Sequence, residues 1–96
     1  MLFAVSALDK PDALELRMAT RPAHLKFWED NDAALVLAGP YLDADEKPCG
    51  SMLVIRAENI DTAKLLMGKD PYAEAGLFQS IDIRPWNWAL KRPEDI

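Results

Sequence analysis

One cysteine, one histidine and four glycines in 96 residues leave little material for several common chemistries. Cys49 has no second thiol to pair with, so no disulfide forms within the chain. A structural zinc site takes about four Cys or His ligands, and this sequence offers one of each. No metal and no cofactor are therefore expected. The four glycines form no phosphate-cradling loop. Basic residues number 11 against 16 acidic ones, a net charge of −5, which argues against nucleic acid or an anionic membrane surface as the main partner. No stretch approaches the roughly 18 apolar residues of a transmembrane helix. Met1–Leu8 is apolar but lacks the basic start and cleavage site of a secretory leader. A free thiol without a leader points to the reducing cytoplasm.

What is present is apolar. Half of the residues are hydrophobic and three are Trp, which excludes a disordered chain. Separate cores arise only beyond roughly 250 residues, so residues 1–96 are expected to form a single domain, with 89–96 as a C-terminal tail. So short a chain has little room for a full core and a deep cavity together.

Punctuation by Pro, Gly, Asp and Asn divides the sequence. Leu2–Leu8 reads as a strand stopped at Asp9-Lys10-Pro11-Asp12. A helix over Ala13–Asn31, with Asp12 as its cap, carries a defect at Pro22. Ala34–Leu42 and Gly50–Ala57 read as a hairpin around a polar turn, with a bend or bulge at Gly39-Pro40. Asn59 or Asp61 caps a second helix ending near Gly68. Asp70-Pro71 opens a further short helix with Asp at the cap and Pro at the first position, and Gly76 ends it. Leu77–Ile83 is the last strand, followed by a tail with Trp86 and Trp88. The order β-α-β-β-α-β predicts an α+β, ferredoxin-like fold: a four-stranded antiparallel sheet with helices on one face.

The strands are apolar on both faces. Leu2 and Ala4 oppose Phe3 and Val5, Leu35 and Leu37 oppose Val36 and Ala38, and Leu53 and Ile55 oppose Met52 and Val54. Two helices cover only one face. A bare apolar face marks an interface, and a homodimer stacking sheet on sheet, a dimeric α+β barrel, is the expected partner arrangement.

His24 is the one side chain whose ordinary pKa lies near neutrality. At helical spacing Arg17, Arg21, His24 and Trp28 share a stripe. Two cations beside an imidazole favour its neutral, basic form and suit an anionic ligand. The same stripe also reads as a solvated basic face. Asp70 is explained by capping alone, or as the carboxylate that orients His24; sequence spacing leaves both open. Ser51 is either a ligand hydroxyl or an ordinary strand residue. No nucleophile elbow surrounds any serine, so a Ser-His-Asp hydrolase is discounted. Tyr72 falls close to Asp70. Cys49 has no neighbouring base and reads as incidental. Trp86 and Trp88 point the same way from an extended tail, and the pocket is expected where helix, sheet and tail meet.

The ordered set Arg21-Pro22-Ala23-His24, Ala38-Gly39-Pro40, Gly50-Ser51, Asp70-Pro71-Tyr72, Ala75-Gly76-Leu77-Phe78 and Ile83-Arg84-Pro85-Trp86 resembles the YciI-like (YCII-related) family. The likeness spans about Met1 to Trp88. It implies a ferredoxin-like fold that dimerises through its sheets and an active site built on His24 and Asp70, with Ser51 and Arg21 lining it. One member of that family is a dehydrochlorinase acting on a chlorinated hydroxyquinol. The expectation is a small cofactor-independent enzyme doing acid/base chemistry (elimination, isomerisation or dehalogenation) on a small cyclic or phenolic substrate. His24 and Asp70 would be catalytic, and Arg21, Ser51, Tyr72 and Arg17 would bind the ligand. The alternative is a non-catalytic dimeric ligand-binding module.

Overall fold

A computed structural model describes all residues, Met1 to Ile96. Strand β1 (Leu2–Asp9) leads into helix α1 (Leu14–Asp30). A single 3-10 turn (Asp32–Ala34) precedes the hairpin of β2 (Leu35–Leu42) and β3 (Pro48–Arg56). Helix α2 (Ile60–Gly68) and the one-turn helix α3 (Pro71–Glu74) then lead to β4 (Phe78–Trp86). The strands lie in the order β2-β3-β1-β4, all neighbours antiparallel. This is the ferredoxin-like arrangement, with the helices on one face.

Inner and outer faces follow from register, because residues directly opposite each other in an antiparallel pair share a face. Phe3, Val5 and Ala7 of β1 face the helices with Ser51, Leu53 and Ile55 of β3. Phe3, Val5, Leu53 and Ile55 join Trp28 of α1 and Ala63 and Met67 of α2 in the core. Burying a side chain of the Val, Leu or Phe class contributes about 1.5–3 kcal/mol. The outer row holds Leu2, Ala4, Ser6 and Leu8 of β1 opposite Arg56, Val54, Met52 and Gly50 of β3, and Trp86, Arg84, Asp82 and Ser80 of β4. The outer face is therefore apolar over its middle strands and polar along most of β4.

Some local expectations are corrected and others hold. Asp12 does not cap α1: it sits at φ 56° in the preceding turn, and Ala13 takes the cap position without a side-chain bond. The helix runs through Pro22 without a break. Arg17 and Trp28, buried on either side of that proline, hold the helix to the sheet and offset the one lost backbone bond. Asn59, not Asp61, caps α2, accepting from the Thr62 amide at 2.9 Å. Strand β4 extends past Ile83 to Trp86. Pro85 is tolerated inside it because β4 is an edge strand; β2, at the other edge, tolerates Pro40 for the same reason.

The irregularities of β2 flank Gly39-Pro40 instead of falling on it, at Leu35/Leu37 and Tyr41/Leu42. The first has a consequence for the faces. Leu35 pairs with Ile55 and Leu37 with the adjacent Val54, so the two leucines lie on opposite faces, not on one. Gly50 is required where it stands. A Cβ there would lie 2.6 Å from the Ala7 carbonyl oxygen and 3.0 Å from the Tyr41 ring. That open surface lets Tyr41 cross β3 and bring its hydroxyl 3.1 Å from Ser6 Oγ on β1.

Candidate active site

The α1 stripe is real. Arg17, Arg21 and His24 line a cavity of about 340 Å³, closed on the sheet side by Ser51, Leu53 and the Ala38-Gly39-Pro40 segment. Met18, Leu25 and Pro48 add apolar wall, and Tyr72 of α3 completes it. All six residues expected at a site thus fall in or directly behind one cavity. The stripe predicted three of them; the sheet and α3 bring the others.

Asp70 is the deepest charged group, with no exposed surface. Its two oxygens accept three donors. Oδ1 takes the Tyr72 backbone amide at 2.9 Å, which caps α3. Oδ2 takes Trp28 Nε1 at 2.9 Å. His24 Nδ1 lies 2.9 Å from Oδ1 and 3.0 Å from Oδ2, astride both. Asp70 caps α3, and the same carboxylate lies within hydrogen-bond distance of His24 Nδ1. An ionised carboxylate only accepts, so against it Nδ1 is the donor, and in the neutral ring Nε2 is then the atom with the free lone pair. The imidazole lies flat on the Tyr72 ring, centroids 3.9 Å apart and planes 15° from parallel. Its orientation is fixed from two directions, and the side chain stays 14% exposed.

A second buried carboxylate holds the opposite end. Asp9, the last residue of β1, takes Arg17 Nε at 2.7 Å and Nη2 at 3.1 Å in a two-pronged pair. Arg17 Nη2 also donates to Ser51 Oγ at 2.7 Å. The guanidinium lies 4.7 Å from the centroid of Tyr72 as well. Arg17 is 5% exposed, and its contacts are with the protein, so it builds the cavity wall more than it reaches into the cavity. Arg21 differs: it is exposed and makes no ion pair. Burial pushes the Tyr72 phenol above its ordinary 10.0; Arg17 and then Arg21 oppose that shift, while Asp70 and Asp9 add to it. Tyr72 is therefore a neutral donor throughout the physiological range.

Sequence reasoning missed Asp9, which looks like a strand end before a turn, and missed that Trp28 bonds to Asp70. Alternation along β1 was the available signal for Asp9: it follows Phe3, Val5 and Ala7 on the inner row. The expected meeting of helix, sheet and tail is also corrected. Trp86 and Trp88 pack together at 5.6 Å and line a separate, larger cleft of about 520 Å³ with Met1, Leu2, Arg56 and Arg92. That cleft lies at the other end of the sheet and holds no side-chain acid or base that titrates near neutrality. The smaller cavity is the candidate because its polar groups converge. No three His, Cys, Asp or Glu side chains come together anywhere to hold a metal ion.

The sequence pattern of the YCII-related domain matches residues 1–87. The chain belongs to that family. It is 31% identical over 94 residues to Protein YciI of Escherichia coli O6:H1, covering 90% of this chain and 96% of that protein. An uncharacterized protein of Haemophilus influenzae is 35% identical over 95 residues, with the same two coverages. Among solved structures of similar fold is 5-chloro-2-hydroxyhydroquinone dehydrochlorinase (TftG) from Burkholderia phenoliruptrix in complex with 2,5-dihydroxybenzoquinone. It matches at a TM-score of 0.85 and 33% identity over 91% of this chain and 94% of that one. An antibiotic biosynthesis monooxygenase, at a TM-score of 0.52 and 7% identity over 91% of this chain and 99% of its own, shares the fold alone. No helix of this YCII-related chain is long and apolar enough to cross a membrane.

Proposed function

We propose that this YCII-related protein is a small cofactor-independent enzyme that moves a proton on a small cyclic or phenolic substrate. His24 is the general acid/base, acting through Nε2, and Asp70 is its orienting partner. The observation that carries the reading is the fully buried Asp70 carboxylate held against His24 Nδ1. When Nε2 takes a proton, the imidazolium that forms lies against a fixed negative charge and the face of Tyr72, both of which stabilise it. Arg21, Ser51 and Tyr72 line the space the substrate enters, with Arg17 behind them. Elimination of a halide, isomerisation and tautomerisation all need only such a base and its conjugate acid. The dehydrochlorinase in the same fold supports the first of these.

The test is turnover of a panel of chlorinated hydroxyquinols, phenols and lactones by wild type and by His24→Ala, read as chloride release and absorbance change. Loss of general acid/base help is expected to lower kcat by about 10²–10⁴. A His24→Ala protein that matches wild type on every substrate turned over would sink the reading.

The same proposal extends to assembly. Two copies stack their outer sheet faces, where Leu8, Leu37 and Met52 stand 50%, 37% and 41% exposed. Apolar area of this kind belongs in an interface. Light scattering should give a dimer mass at micromolar concentration, and Met52→Glu should give a folded monomer. A monomeric wild type contradicts the arrangement.

A further inference from the structure

Ser51 carries a proton with nowhere to go in the protein. Its Oγ accepts from Arg17 Nη2 at 2.7 Å. A guanidinium has donors only, so the direction of that bond is fixed, and the serine hydrogen is left over. No protein acceptor receives it, although Ser51 is 95% buried by its 5% exposure. Two of its surroundings are closed: β3 behind it and Arg17 beside it. The remaining side is the cavity. Arg17 cannot turn away to release the oxygen, because Asp9 grips it through two nitrogens. The triad Asp9–Arg17–Ser51 therefore aims one hydroxyl donor at whatever occupies the cavity, and Arg17 polarises it.

The charge around that donor has one sign. Arg17, Arg21 and His24 are the side chains on the wall that carry or can take a positive charge, Tyr72 is a neutral phenol, and no Asp or Glu lines it. Asp9 neutralises Arg17 and Asp70 faces His24, while Arg21 has no carboxylate partner. In a chain of net charge −5, this leaves a local cationic site with an unused hydroxyl donor beside it. Met18, Leu25, Pro40 and Leu53 make the rest of the wall apolar.

We infer that Ser51 and Arg21 together form an oxyanion-binding wall, and that the cavity takes a small apolar ring carrying one ionised oxygen, a phenolate or an enolate. The inference rests on the acid/base reading of the same cavity and adds a division of labour. Nε2 of His24 handles the proton, and the Ser51–Arg21 side holds negative charge that is present in the substrate or develops as the proton leaves. Ser51 is a binding group here, not a nucleophile. Arg17 is a positioning residue that acts through Ser51.

The experiment titrates the full chain with 4-nitrophenol, whose phenolate absorbs in the visible, and with its neutral methyl ether 4-nitroanisole. Near the midpoint of the free probe, binding should raise the phenolate fraction, the proton leaving to buffer. The ether should bind at least about tenfold more weakly, since it offers no charge for Arg21. Ser51→Ala and Arg21→Gln should each weaken phenolate binding by about tenfold, and each should shrink the colour change. Ser51→Cys guards against misfolding of the alanine variant: sulfur still accepts from Arg17 but donates poorly, so it too should lose affinity. Arg21 is exposed, and its replacement leaves the core untouched. His24→Ala should keep the bound phenolate yellow, because the donors remain.

Equal binding of phenol and ether, no binding of the phenolate at all, or unchanged affinity in both serine variants would each overturn the oxyanion wall. If the wall fails while His24→Ala still loses turnover, the acid/base reading survives. If phenolate binds as described and His24→Ala costs no turnover, the wall stands and the base falls.

Discussion

The cavity has two ends, each built around a buried carboxylate, and they differ in what the carboxylate holds. Asp70 holds an imidazole, a ring whose second nitrogen can both accept and donate a proton. Asp9 holds a guanidinium, which offers donors only. The first pair can move a proton; the second can only point and polarise. Asp70 has two further donors, Trp28 Nε1 and the Tyr72 amide, so it stays satisfied whatever His24 does. Asp9 has Arg17 as its only side-chain partner. Tyr72 lies against both ends, stacked on His24 and beneath the Arg17 guanidinium. Two buried carboxylates thus hold partners of different chemistry, an imidazole on one nitrogen and a guanidinium on two.

The largest expected effect breaks the structural end. Asp9→Ala strands a guanidinium that is 5% exposed, and leaving one member of a buried pair alone costs about 3–5 kcal/mol. Urea unfolding should show a large drop in midpoint. A loss below about 1 kcal/mol would mean that Arg17 swings out to water and that the end is not rigid. At the other end, Asp70→Asn keeps the shape and, with its amide oxygen on the Tyr72 amide, the cap of α3, but it removes the negative charge and sets an NH2 against Trp28 Nε1–H. His24 Nδ1 is then left to share the capping oxygen or to accept from that NH2, so the Nδ1-protonated tautomer is no longer fixed and the imidazolium formed at Nε2 loses its charged partner. Turnover should fall by about 10²–10⁴, with a smaller effect on substrate affinity. Comparable stability losses with undiminished turnover would erase the distinction between the ends.

The next effect isolates one donor. Trp28→Phe keeps the aromatic packing and removes one bond to Asp70, a cost of about 1–3 kcal/mol in stability with the tautomer of His24 retained. The activity per folded molecule should hold, which a thermal melt and a rate measurement check together.

The smallest effect is on pH dependence. The Tyr72 phenol lies above its ordinary 10.0 in the folded state, because burial disfavours the phenolate. A raised folded value means that the native state keeps the proton longer than the unfolded chain does. Stability from this source is fully present below 10.0 and is lost as pH rises through the folded value. The melting temperature should decline more steeply on the alkaline side in wild type than in Tyr72→Phe.

Much of this architecture is legible in the residues themselves. Asp70-Pro71 opens a helix by local chemistry, Asn59 caps another, and the spacing of Arg17, Arg21, His24 and Trp28 already makes a stripe. Those signals lie within a few residues of one another, where backbone geometry alone relates them. The errors came where local rules had two outcomes. Asp12 has a capping side chain but sits in a left-handed turn. Leu35 and Leu37 alternate in sequence but a bulge separates them. Trp86 looked like tail and is strand, because an edge strand accepts the proline before it.

The sequence by itself determined the element order, the family likeness, the lone histidine and the helix face that presents it. The partners of that face were decided only in three dimensions. Asp70 is 46 residues from His24 and 42 from Trp28, and Ser51 is 34 from Arg17. Asp9 is only eight residues from Arg17, yet a turn separates the strand from the helix, so no fixed spacing relates them. Hydrogen bonds between side chains on different elements depend on how the sheet and helices pack, and on which buried polar groups remain to be satisfied. Packing therefore chose which arginine is held in the wall and which is free, a difference that two arginines four residues apart do not carry in their sequence.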